Sequence, residues 1–142
     1  MFTYKLTHSN AKAPERKGGS GAAGYDMYAI EGKVVKPGEI YMMPTGVQVT
    51  AFSEGWVAFV KERSGLALKG IRIGGGVIDP SYRGEIFIAF HNLGASDYVV
   101  ETGHRVAQIV FLKIGHHDFK VYESDKVIEP SSFIGGNGSS GL

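Results

Sequence analysis

The stretch Ile71–Ile88 constrains this chain more than any other part of it. Two runs rich in β-branched residues, starting at Ile71 and at Glu85, flank three consecutive glycines and the turn-forming Asp79-Pro80-Ser81-Tyr82. The pattern predicts a β-hairpin closed by a loop of about four or five residues. Gly74, Gly75 and Gly76 permit backbone conformations closed to other residues and let a flat ligand approach the main chain. The tip then holds a carboxylate, Asp79, three residues from an aromatic ring, Tyr82. An ordinary tight turn has the same composition, because Asp, Pro and Ser are common turn formers. The rest of the chain separates the two readings.

Short extended segments broken by turns fill most of what remains. Phe2–Thr7 places Phe2, Tyr4 and Leu6 on one face and threonines and lysine on the other, as a first strand would. Further strands are expected at 33–36, at 39–52 with an interruption at Pro44-Thr45-Gly46, at 55–60, 85–92 and 97–101. Val106–Ile114 is apolar on both faces apart from Gln108 and Lys113, so a second sheet or another subunit must cover it twice. Only Ser64–Lys69 suggests a helix, and that a single turn. Gly19-Ser20-Gly21-Ala22-Ala23-Gly24 matches the glycine spacing of dinucleotide-binding folds. Those folds need a strand before the glycines and a helix after, whereas a charged loop precedes and a strand-like segment follows here. A sandwich or barrel fits the whole pattern, and 21 glycines in 142 residues argue against a helical bundle.

Composition removes several function classes. A net charge of +1 gives no footprint for nucleic acid or an anionic membrane. There is no cysteine, hence neither disulfides nor a thiolate metal site, and no apolar run approaches the ~18 residues of a membrane span. A cytoplasmic location is expected. His116-His117-Asp118 reads as a solvated loop, since neighbouring strand residues point to opposite faces.

Four segments carry a resemblance. Ala22-Ala-Gly-Tyr-Asp26, Arg63-Ser-Gly-Leu-Ala67, Gly76-Val-Ile-Asp79 with Tyr82-Arg-Gly84, and Gly103 with Arg105-Val-Ala-Gln108 stand in the order and spacing of four of the five motifs of the trimeric dUTPases. The chain resembles that family over residues 22–108. The resemblance implies an all-β, distorted jelly-roll (β-clip) homotrimer with sites between subunits, formed by residues 1–128 and followed by a flexible tail, 129–142. It implies Mg²⁺-dependent hydrolysis of dUTP to dUMP and pyrophosphate, which keeps uracil out of DNA and supplies dUMP for thymidylate synthesis. No membrane partner and no direct contact with nucleic acid are expected.

Site roles follow from the same resemblance, and the chemistry of each residue suits its role. Asp79 is the general base that activates water for attack on the α-phosphorus. Tyr82 stacks on the deoxyribose and bars a 2′-hydroxyl. The backbone near Gly76, Ile78 and Ile86 hydrogen-bonds the uracil edge, so that cytosine leaves buried groups unpaired. Arg63, Ser64, Gly65, Arg105 and Gln108 contact the phosphates, and Asp26 holds Mg²⁺ through water. Gly138, Ser139 and Ser140 represent the fifth, glycine-rich motif, which is present only in part.

Three departures stand out. Glu62 occupies the usual proline position before Arg-Ser-Gly, and its charge would cost affinity unless it points away. His104 replaces the usual aspartate before Arg105, removing an expected pairing. In the tail, Asn137 and Ser132 fall where the family has phenylalanine and arginine. These departures keep open a catalytically impaired protein that binds dUTP or a protein partner. A dCTP deaminase-like enzyme on the same fold is disfavoured by Arg-Ser-Gly in place of Arg-Ser-Ser.

Overall fold

The computed structural model describes residues 1–116. In chain order the strands are β1 (Phe2–Leu6), β2 (Tyr25–Tyr28), β3 (Lys33–Val35), β4 (Ile40–Phe52), β5 (Trp56–Lys61), β6 (Ile71–Gly74), β7 (Val77–Ile78), β8 (Glu85–Asn92), β9 (Tyr98–Val100) and β10 (Arg105–Lys113). A single α-helical turn, α1 (Ser64–Ala67), follows β5, and a 3-10 turn, Gly19–Gly21, precedes β2. The strands form two four-stranded sheets, ordered β1-β4-β8-β6 and β2-β10-β5-β7, and a β3-β9 pair, all antiparallel. The all-β expectation holds, and the short helix at Ser64 lies where it was expected.

Alternation explains how the two sheets share one core. On β8, Ile86, Ile88 and Phe90 are fully buried, while Glu85, Phe87 and His91 turn away. From the second sheet Met27, Ala107 and Ile109 join the same cluster. β10 lies between β2 and β5, and its first half is buried, as its apolar sequence required. Its last residues are less covered, and Leu112 is exposed. Opposite Thr3 and Tyr4 of β1, β4 carries one extra residue, Thr50, as a bulge, and Phe2 packs among aromatic rings while Leu6 at the far end of β1 is exposed.

The interruption expected at Pro44-Thr45-Gly46 is a bulge within one long strand. Proline has no N–H to give, and Gly46 takes a positive φ of 65°. The loosened amides of Thr45 and Gly46 donate to the Glu85 carboxylate at 3.2 and 2.8 Å, and the Thr45 hydroxyl donates to the Ile86 carbonyl at 2.6 Å. These bonds anchor the start of β8, the strand that follows the Asp79 turn.

The predicted hairpin needs correction. β6 and β8 do pair, from Ile71 opposite Asn92 to Gly74 opposite Ala89. The connection is ten residues long rather than four or five, because the chain leaves the first sheet after Gly74 and joins the second at β7. Gly75 and Gly76, with φ of 63° and 83°, make that crossing. A side chain at Gly76 would also place its Cβ 2.5 Å from the Val60 carbonyl oxygen. The Asp79–Tyr82 turn then returns the chain to β8, closed by a 3.0 Å bond from the Tyr82 amide to the Asp79 carbonyl.

Candidate active site

Three motif residues far apart in sequence meet at one carboxylate. Asp26, on β2, accepts from Arg63 Nε at 2.9 Å through one oxygen and from Arg105 at 3.2 Å through the other. Strand pairing dictates the meeting: Gln108 on β10 lies opposite Asp26 on β2 and Lys61 on β5, with Arg63 two residues beyond. His104 therefore does not leave Arg105 unpartnered, as the sequence suggested, because Asp26 supplies the carboxylate. His104 instead accepts from the Glu101 amide through Nδ1, and its Nε2 lies 3.2 Å from the Glu101 carboxylate.

Around this triad is a cavity of about 230 Å³ lined by Arg63, Ser64, Arg105, Gln108 and Asp26, with Gly24, Ala22, Gly18 and Lys17 completing it. Gln108 donates to the Glu62 carbonyl at 3.1 Å, which leaves its other N–H and its oxygen free to act. Gly24 lies against it, and a Cβ there would displace the Gln108 amide. Glu62 itself does not line the cavity. Its carboxyl is held below the ordinary value by its own backbone N–H, with lesser help from Lys61, the Ile73 backbone and Arg72. The added charge thus faces basic neighbours rather than the phosphate-contact residues. Gly65 lines a second hollow on the other side of Arg63 and Arg105, together with Leu66, Lys69, Tyr98 and His104.

Asp79 and Tyr82 stand elsewhere. β2 and β7 are the opposite edges of their sheet, three interstrand steps apart, so the Asp79 turn is roughly 14 Å or more from Asp26. Asp79 is exposed. The Tyr82 hydroxyl donates to the Glu85 carbonyl, and its ring covers Gly84, where a Cβ would meet Cζ of the ring at 2.7 Å. As an edge strand β7 has one unpaired side among the described residues. Gly76 accepts from the Val60 amide at 2.7 Å and Ile78 lies opposite Ala58, so alternation turns the polar backbone groups of the intervening Val77 outward. Ile86 is fully buried, with its carbonyl taken by Thr45. Of the backbone positions named from sequence, the register thus favours Val77 over Gly76, Ile78 and Ile86 for an external hydrogen bond.

A further hollow, about 370 Å³, is lined by Phe2, Tyr25, Phe52, Trp56, Phe111 and neighbours, without a cationic side chain. Among the described residues no three His, Cys, Asp or Glu side chains form a metal cage. Asp26 can still accept from metal-bound water, because each of its oxygens keeps a lone pair beyond the arginine contact. Gly138, Ser139 and Ser140 lie outside the described residues.

A family model described as dUTPase matches residues 9–141. This chain belongs to the dUTPase family. A deoxyuridine 5′-triphosphate nucleotidohydrolase of Desulfitobacterium hafniense is 42% identical to it over 127 residues, covering 86% of this chain and 83% of that one. The cowpox virus enzyme of the same name is 40% identical over 118 residues, covering 82% and 78%. Among solved structures, a variant of the Staphylococcus bacteriophage 80alpha dUTPase with dUpNHpp overlays this dUTPase with a TM-score of 0.82. It is 28% identical and covers 100% of this chain and 99% of that one. A phage phi11 dUTPase variant, described as coordinating a structural Mg(II) ion, gives 0.79 at 27% identity, covering 88% and 98%. The recognition and the fold class read from the motifs are borne out. Lys17, which the sequence leaves in a polar surface loop, is the cavity-lining cation that sequence reading passed over.

Proposed function

We infer that this chain hydrolyses dUTP to dUMP and pyrophosphate, as a homotrimer whose sites are shared between subunits. The observation that carries the reading is the convergence of Asp26, Arg63, Ser64, Arg105 and Gln108 on one cavity, far across the sheet from Asp79. A phosphate chain cannot bridge that span while presenting its α-phosphorus to Asp79 of the same molecule. A neighbouring chain that brings its Asp79 turn to this cavity completes the site. Exposed apolar residues suited to burial between subunits are at hand: Val34 and Val99 lie opposite one another on β3 and β9, with Ile40 and Met42 exposed on β4.

In this reading the uracil edge pairs with outward backbone groups at Val77, and cytosine, with donor and acceptor exchanged, leaves them unmatched. Tyr82, tethered through its hydroxyl, sets its ring against the deoxyribose. Asp79, exposed at the turn, takes a proton from the water that attacks the α-phosphorus. The bond from that phosphorus to the bridging oxygen breaks, and pyrophosphate leaves on Arg63, Arg105, Ser64 and Gln108. Asp26 keeps the two guanidinium groups in place before substrate arrives. Mg²⁺, held by the phosphates and through water by Asp26, would supply further neutralisation of their charge.

The test follows pyrophosphate and ammonia released from dUTP and dCTP with Mg²⁺. Pyrophosphate from dUTP alone is expected. Asp79→Asn should lower kcat by about 10³-fold, within the usual range for a general base, while a non-hydrolysable dUTP analogue still binds. Near-normal turnover by that variant would remove Asp79 as the base.

A further inference from the structure

We propose that Lys17 is a substrate-binding residue that receives the terminal phosphates of the nucleotide. The inference rests on the dUTP reading above and concerns charge. Asp26 neutralises one of the two arginines it bridges, so Arg63 and Arg105 together leave one net positive charge for a polyphosphate. Lys17 is the third cation lining the same cavity, and it doubles that charge. The C-terminal stretch 127–142 contains no lysine or arginine, so it brings no cation of its own.

The loop bearing Lys17 is built to hold it there. Glu15 and Asp26 form a two-way bridge, with backbone bonds of 3.2 and 2.8 Å, which pins the loop to the strand that carries Asp26. Just beyond Lys17 the chain turns back sharply. A Cβ at Gly18 would meet Ala22 Cβ at 2.7 Å, and Gly19 takes a φ of 65°. Lys17 is only loosely engaged otherwise: its ammonium is 3.8 Å from Glu15, at an exposed pair, and 5.9 Å from the Tyr28 ring centroid. An ammonium on a flexible stem with weak partners can turn to an arriving anion at little cost.

The competing cation is Lys69, in the hollow on the opposite side of the arginine pair. That side is walled by Leu66 and Tyr98, whereas the Lys17 side carries Ser64 and Gln108, neutral donors that complete a phosphate shell. The terminal phosphates therefore lie toward Lys17.

Calorimetric titration of the full-length protein with a non-hydrolysable dUTP analogue, and with dUMP, tests this. Lys17→Met should weaken the analogue about tenfold and reduce its salt dependence, leave dUMP within about twofold, and melt as the unmodified protein does. Lys17→Arg should restore most of the affinity, and Lys69→Met should change it less than about twofold. Unaltered analogue binding by Lys17→Met, an equal loss for dUMP, or the loss appearing in Lys69→Met instead would each overturn the assignment. If the unmodified protein does not hydrolyse dUTP, the underlying reading fails first; if it does and Lys17→Met is indifferent, only the role of Lys17 falls.

Discussion

Replacing Gly76 by alanine should cost far more than the same change one residue earlier, and the two sites separate conformational strain from collision. Both have positive φ, 63° at Gly75 and 83° at Gly76. For a residue with a Cβ that region costs about 1–2 kcal/mol, of which roughly 0.4–1 is returned because alanine restricts the unfolded chain. At Gly75 nothing lies within 4 Å of the added atom, so Gly75→Ala should destabilise by about 0.5–1 kcal/mol. At Gly76 the new Cβ would be 2.5 Å from the Val60 carbonyl oxygen, which is backbone in a central part of the sheet. Relief requires β7 to move off β5, breaking the 2.7 Å bond from the Val60 amide to the Gly76 carbonyl, a loss of about 1 kcal/mol, and loosening Ile78. Gly76→Ala should therefore cost about 2–4 kcal/mol in total. It should also lower turnover about a hundredfold, because Asp79 follows β7 directly and a displacement near 1 Å has that effect. Urea unfolding of the two variants measures the difference. Costs equal within about 0.5 kcal/mol would show that the contact with Val60 does not dictate glycine here.

Glu62 provides a pH test. Its carboxyl is held below the ordinary 4.5, so its contribution to stability is complete above that value and disappears as pH falls through the lowered one. Glu62→Gln should be less stable than the unmodified protein at about pH 7, and the gap in urea midpoint should shrink as pH is taken below the ordinary carboxylate value; a gap independent of pH would contradict the assignment. For assembly, light scattering should give about 46 kDa, three chains of 15.3 kDa, and a monomeric mass would refute the shared site.

Strand positions were readable because turn residues bound short runs of β-branched and aromatic residues: β8 runs Glu85–Asn92, as its composition predicts. The long connection after Gly74 was not readable. Both short β-branched runs look alike whether they pair with each other or with different sheets, and the rerouting depends on two glycine dihedrals. The meeting of Asp26, Arg63 and Arg105 was legible only through the motifs, since local pattern cannot reveal a contact spanning 79 residues. Where Glu62 points depends on its own backbone N–H, on Lys61 at the end of β5, and on Arg72 and the Ile73 backbone of β6. Lys17 sat in a stretch that reads as ordinary surface loop, and only the bridge between Glu15 and Asp26 carries it to the cavity.

The Asp26-bearing margin and the Asp79-bearing margin of the same sheet are out of reach of each other within one molecule. In the proposed trimer each polypeptide is a lender to one neighbour and a borrower from another. Two defective alleles, one damaged at either margin, would yield some intact sites when their products mingle, although each product alone is inert.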